Sequence, residues 1–449
     1  MRLRFLLAFH LISVCSFSQS PGFSDSLRSE MCNKVRDACR HAWQGYKQFA
    51  WGYDDLRPLT ENGRNWYKQS MLMTPVDAFD TFILLGLKEE AKESKELIFS
   101  QLNFDADNEV QVFEITIRQL AALQTAYELD GDKRFLALAV DLAKRLLPAF
   151  NSNTGMPYRY VHLQTGKTRD GINNPAEIGT LLLEFGKLSK LTGDPVYFQK
   201  AKKALMAVFD RRASTGLVGE TIDIQTGEWK SKASHISGYI DSYYEYVYKG
   251  WKLFGDKELK KAWDIHSAAI KKYLLRETAH GSFLTRVDMN SGKEIASYYG
   301  ALDAFYAGLL AYSGDLATAR KVQKANYYMW THFNIEPEEF DFKTDSVRSA
   351  YYVLRPENLE SCFYLYRYTQ SDEYLWMAKR MVDDIVEHCK NKAGFASLKD
   401  VRTYEKTNSM ESFLFGETFK YAYLVFAPAS AMDLKKNVLT TEAHPFRIK

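Results

Sequence analysis

The sequence predicts an all-α protein, a closed toroid of about seven helical hairpins, and three observations carry that prediction. Proline is scarce, 11 of 449 residues, about half its usual frequency, so long stretches are free to run as helix. A Gly-Asp pair recurs after stretches with apolar residues at helical spacing: Gly131-Asp132, Gly193-Asp194, Gly255-Asp256 and Gly314-Asp315, with Ser371-Asp372 as a degenerate fifth copy. The aspartates stand 62, 62, 59 and 57 residues apart. Dividing roughly 430 residues by a unit of about 60 gives seven hairpins.

Taken in order, the chain opens on a leader. Met1-Arg2-Leu3-Arg4 is a basic start, Phe5 to Cys15 is an apolar run, and Ser16-Phe17-Ser18 is a small-x-small cleavage site. Residues 1–18 therefore read as a secretory signal peptide, too short to span a membrane. Acylation at Cys15 is the weaker reading, because Val14 is bulky where a small residue is usual. Residues 19–449 read as one closed domain, since no Ser/Pro-rich linker or charge block divides them. Within it, Leu120, Leu123 and Tyr127 mark one first helix and Phe135 to Leu146 its second; Leu181, Leu182, Phe185 and Leu188, then Tyr197 to Phe209, repeat the scheme. Glycine ends the first helix of each unit and aspartate caps the next. The unit is longer than the roughly 34 to 47 residues of open helical solenoids. The surplus lies in connections such as 151–174 and 278–299, whose strand- and turn-like sequence suits the rim of a cleft at one end of a ring.

Composition narrows the function. Net charge is only +3, too small for a nucleic-acid footprint. No later run is apolar enough for a transmembrane helix. The absence of any Asn-x-Ser/Thr acceptor points to a bacterial envelope, periplasmic or extracellular, rather than the eukaryotic secretory pathway. Cys32, Cys39, Cys362 and Cys389 allow one or two disulfides and have no zinc-ligand spacing.

A second register runs inside the first. Glu114, Glu177, Asp241, Asp303, Glu357 and Glu411 each stand near the start of a unit's first helix, 63, 64, 62, 54 and 54 residues apart. One such carboxylate is a helix-dipole partner. Six at equivalent places of a closed ring lie at one end, and their mutual repulsion calls for a cation, bound protons or catalytic work.

The motifs then become specific. Phe113-Glu114-Ile115-Thr116-Ile117-Arg118, Asp241-Ser242-Tyr243-Tyr244-Glu245-Tyr246, Leu354-Arg355-Pro356-Glu357-Asn358-Leu359-Glu360-Ser361, Met410-Glu411-Ser412-Phe413 and Thr441-Glu442-Ala443-His444-Pro445 resemble, in that order, the class I α-1,2-mannosidases of glycoside hydrolase family 47. Leu217-Val218-Gly219 and Gly394-Phe395-Ala396 are most similar to the branch of the ER degradation-enhancing mannosidase-like proteins. The resemblance implies an (α/α)7 barrel, in agreement with the hairpin count, with residues 438–449 entering it as a C-terminal plug.

It also implies Ca²⁺-assisted removal of terminal α-1,2-linked mannose from high-mannose glycans or mannan with inversion. Inversion needs one carboxylic acid for the leaving oxygen and one carboxylate for the attacking water. By resemblance Glu114 is the general acid, acting through a water, Glu357 the general base and Asp241 a third essential carboxylate. Arg118 and Arg355 belong beside the reacting groups, and Glu177 and Asp303 match sugar-contacting positions. Thr441 matches the calcium ligand, through its hydroxyl and carbonyl, with Glu360, Glu411 and Glu442, and also Glu338 and Asp77 or Asp80, holding the metal's waters. Tyr239 departs from the family, which has arginine or leucine there, so branch preference does not carry over. The family's usual disulfide has no counterpart, since no cysteine lies between Cys39 and Cys362. The alternative reading is a mannose-glycan-binding protein on the same barrel. Glu114, Asp241, Glu357 and Thr441 together favour the enzyme, because a lectin needs no acid and base.

Overall fold

Four of the Gly-Asp pairs do what their chemistry dictates. Gly131, Gly193, Gly255 and Gly314 take left-handed backbone with φ of +84°, +80°, +71° and +96°. A Cβ at any of them would touch nothing, so the demand for glycine is conformational. The aspartates that follow accept backbone N–H groups of the next helix: Asp132 from Arg134, Asp194 from Val196, Asp256 from Glu258 and Asp315 from Thr318. In the degenerate fifth copy Gln370 takes the left-handed place, with φ +55°.

The computed structural model describes residues 22–448; the leader lies outside them. Fourteen helices follow in chain order: α1 (Asp25–Phe49), α2 (Met73–Leu85), α3 (Lys88–Gln101), α4 (112–130), α5 (Lys133–Leu146), α6 (175–192), α7 (Val196–Asp210), α8 (Asp241–Phe254), α9 (Lys257–Tyr273), α10 (302–313), α11 (Leu316–Phe333), α12 (Glu357–Thr369), α13 (Glu373–Cys389) and α14 (414–424). The even-numbered helices form the inner ring, each packing on the next, α8 on α10 through Tyr248 and Tyr312, and α14 closes on α2. The odd-numbered ones lie outside, with α1 covering the junction of last and first hairpins. That junction is an aromatic cluster. Trp43 of α1 stacks on Tyr46 at 5.2 Å and meets Phe82 edge-on at 4.9 Å, contacts worth about 0.5–1.5 kcal/mol each beyond area burial.

The long connections form short antiparallel sheets of two or three strands at the end where the inner helices begin. A last hairpin pairs Asn437–Leu439 with Pro445–Arg447. Val438, Leu439 and Phe446 are fully buried. Lys187, late in α6, donates to the Arg447 carbonyl at 3.0 Å, so the hairpin enters where the inner helices end and its tip points toward their starts. The four cysteines are buried free thiols, so neither disulfide allowed by the sequence forms. Cys32 and Cys39 lie on the same helix, α1, and Cys362 and Cys389 on α12 and α13.

Candidate active site

The inner helix starts converge on a cavity of about 340 Å³, a size suited to a small ligand. Glu114, Glu177, Asp241, Glu357, Glu360, Arg118, Arg355 and Tyr239 line its wall, and the hairpin tip, Thr441 and Glu442, also faces it. Two in-phase acids do not reach it. Asp303 opens a 3-10 turn and folds back on its own loop, accepting the Gly300 N–H at 3.0 Å, so that Leu302 and Phe305 line the cavity in its place. Glu411 accepts the Ser409 hydroxyl at 2.5 Å, and its charge acts on Asp55 instead. Its helix starts late, with a π-helical turn at Leu414–Thr418, which hands the lining position to Glu417.

Each acid on the wall is held differently. Glu114 accepts Arg118 Nε at 2.9 Å, and Arg118 Nη1 reaches Glu442 Oε2 at 2.6 Å. The guanidinium thus ties wall to floor, between the rings of Trp66 and Phe413. Glu177 is taken by a bidentate pair with Arg159, at 2.9 and 2.7 Å, geometry that gives a carboxylate little freedom. Arg355 is likewise clamped on Glu338, at 3.1 and 2.6 Å, and its Nη1 stands 3.8 Å from Glu357 Oε1. The other oxygen of Glu357 is buried and has no hydrogen-bond partner. Asp241 begins α8 and accepts the N–H of Ser242 at 2.7 Å.

Eight carboxyl groups but only three arginines line the cavity. Burial is the largest effect on Asp241, pushing it up to about 7, and on Glu357 and Glu360, pushing both up to about 8. Arg355 opposes it at Glu357 and Lys249 at Glu360. Glu417 is pushed well up by burial and then by Glu442. The sign for stability follows from linkage. These groups keep protons in the fold that an unfolded carboxylate gives up near pH 4, so the folded state binds more protons and loses stability as pH rises toward 8. Burial lowers His235, and His266 to about 4, an opposite trend that is spent by about pH 6.5. The melting temperature in chelator is therefore expected to fall between pH 6.5 and 8; a rise across that window would contradict the proton assignments.

The floor is a tight turn. Ala443 N–H bonds the Thr440 carbonyl at 3.0 Å and Thr440 N–H the His444 carbonyl at 3.0 Å. Beneath it, fully buried Lys420 donates to Asp80 at 2.9 Å and to the Ala443 carbonyl at 3.0 Å, while His444 Nδ1 lies 3.0 Å from Asp80. Three residues with left-handed backbone sit on the segments that form the site: Tyr239 (φ +77°), Leu354 (+64°) and Ala443 (+58°). Such conformations cost about 1–3 kcal/mol each and persist where the surroundings fix them. Leu354 is fixed by Thr418, whose hydroxyl donates to its carbonyl at 2.6 Å. Tyr239 is half exposed at the cavity's mouth.

Sequence reasoning missed Glu245, Glu417, Arg159 and Phe413 as cavity residues. Glu245 follows Asp241 by four, as Arg118 follows Glu114, and i,i+4 neighbours share a helix face; that rule alone would have found it. Glu417 lies inside the π-helical turn Leu414–Thr418 and left no such signal.

A helical toroid whose inner helices aim carboxylates and arginines into one pocket is built for acid–base chemistry. The comparisons carry the assignment further: the chain belongs to glycosyl hydrolase family 47, whose model matches residues 38–448. It is 34% identical to human mannosyl-oligosaccharide 1,2-alpha-mannosidase IB over 456 residues, covering 93% of this chain and 70% of that one. It is 35% identical to human ER degradation-enhancing alpha-mannosidase-like protein 2 over 414 residues, covering 88% and 71%, so the two groups stand at similar distance. Among solved structures, the alpha-1,2-mannosidase from Trichoderma reesei superposes with a TM-score of 0.86 at 28% identity, covering 94% of this chain and 99% of that one.

Proposed function

We propose that this enzyme removes terminal α-1,2-linked mannose from mannose-containing oligosaccharides with inversion, using Glu357 as general base, Glu114 as general acid through a water, and a calcium ion beside Thr441. The observation that carries the reading is Glu357, which lines the cavity with Arg355 Nη1 3.8 Å from its Oε1 and with its buried Oε2 left without a hydrogen bond. A carboxylate that lines the cavity in this way, oriented but not neutralised, can accept a proton from a water below the sugar. Arg355 orients this glutamate and Arg118 orients Glu114 from opposite parts of the ring. Asp241, which burial pushes up to about 7, keeps a proton near neutrality and is the second proton source in reach of a leaving oxygen.

The residues fit a calcium ion held mostly through water. Among the described residues no three His, Cys, Asp or Glu side chains converge to bind a metal directly. What the cavity offers is a threonine at its floor and an excess of carboxyl groups, a donor set of oxygen alone. Bound there, calcium would supply positive charge that favours the ionised form of Glu357 and would hold sugar hydroxyls.

The test is stereochemical. Proton NMR during early hydrolysis of an α-1,2-linked mannobiose should show β-mannose first, since the water attacks opposite the leaving group, and chelation should abolish the signal. Initial α-mannose would overturn both glutamate roles. The reading also includes export. The secreted protein should begin at Gln19 by intact-mass measurement, and retention of residues 1–18 would refute the leader.

A further inference from the structure

Glu184 is a buried acid that the reaction does not use. It lies in α6, is fully buried, has no cationic partner among the described residues, and leaves Oε2 without a hydrogen bond. Its Oε1 accepts the Tyr246 hydroxyl at 2.5 Å. The same hydroxyl oxygen accepts the backbone N–H of Thr441 at 3.2 Å. Two inner helices and the hairpin tip therefore meet at one phenol. The neighbours of Thr441 are anchored separately, Glu442 by Arg118 and Ala443 by Lys420. Thr441 itself has no other hydrogen bond among the described residues. Burial pushes Glu184 up to about 8, so near neutrality it is an uncharged carboxyl whose carbonyl oxygen accepts the phenol's hydrogen bond.

We propose that Tyr246, braced by Glu184, is a positioning residue that fixes the Thr441 backbone and so presets the direction in which the threonine's hydroxyl and carbonyl face the cavity. Because that ordering is complete before anything binds, it strengthens cation binding by sparing the ordering cost. This second consequence rests on the calcium reading above; the fixing of the backbone does not.

The experiment compares wild type with Tyr246→Phe, Glu184→Gln and Tyr312→Phe. Tyr312 carries a buried, unpartnered hydroxyl outside the cavity, so its variant controls for the loss of one phenolic oxygen. Two readouts are taken on the full chain: calorimetric titration with calcium chloride, and hydrogen exchange of the Thr441 amide in chelator. Tyr246→Phe should weaken calcium binding about 3- to 10-fold, the worth of one hydrogen bond, and speed exchange at Thr441 by a similar factor. Glu184→Gln keeps an uncharged acceptor of the same shape and should stay within about twofold of wild type on both. Calcium affinity in Tyr246→Phe equal to that of Tyr312→Phe would overturn the proposal. If wild type binds no calcium, the metal reading fails by itself, and the exchange rate alone decides the positioning role: an unchanged Thr441 amide sinks it. Should Tyr246→Phe not fold, Glu184→Met removes the brace instead, and unchanged exchange at Thr441 is the contradicting result.

Discussion

Glu357→Gln is expected to lower kcat by at least about 10²–10⁴-fold, the usual range for removing acid–base assistance, while affinity for an unreacted mannoside stays within a few-fold. The amide matches the carboxylate in shape but cannot take a proton, and the buried oxygen of Glu357 has no hydrogen-bond partner to lose. No structural hydrogen bond at that oxygen is lost, so the fold should hold. The change also removes a carboxyl that burial pushes up to about 8, which leaves the metal-free protein as stable as before or slightly more so at pH 8. Turnover within a few-fold of wild type would remove Glu357 from the chemistry. A fall in activity matched by a fall in melting temperature would mean that its role is structural.

Lys420→Met should be the most destabilising single change, by about 3–5 kcal/mol, the cost of breaking a buried ion pair from one side. Both Lys420 and Asp80 are wholly shielded from solvent. Burial raises Asp80, but Lys420 and then His444 overcome it and hold the carboxyl below its usual range. Without the ammonium, Asp80 keeps only His444, and the Ala443 carbonyl loses its donor. The turn beneath Thr441 would loosen along with the fold. Denaturant unfolding measures the loss, and a change below about 1 kcal/mol would show that the pair is not load-sharing.

Much of this was legible before any coordinates. The Gly-Asp punctuation gave the hairpins because left-handed glycine and side-chain capping are local effects, decided within four residues. The carboxylates Glu114, Glu177, Asp241 and Glu357 were legible because a helix start has a fixed place in a repeating ring. The two in-phase acids that fail, Asp303 and Glu411, fail where that regularity breaks, at a 3-10 turn and ahead of a π-helical turn. Glu417 was hidden for the same reason: an extra residue in a helical turn rotates everything after it, and spacing cannot announce it. Which carboxyls keep their protons was also out of reach, since burial by partners hundreds of residues away decides it. The four thiols show the opposite limit, where a count of cysteines allowed bonds that the fold leaves unmade.

The hairpin at the barrel's centre bears on how the protein comes to be folded. Arg118 meets Glu442 across 324 residues of chain and Asp80 meets His444 across 364. The aromatic junction between α1, α2 and α14 spans nearly the same interval. Contacts this remote in sequence cost loop-closure entropy that local helix formation does not repay, so they slow the search for the native state. Six hairpins can assemble neighbour by neighbour, but the floor of the cavity waits for the two ends of the ring to meet. Ring closure and site assembly are thus one event. An incompletely folded molecule has helices without a working pocket, and a molecule with a working pocket has closed.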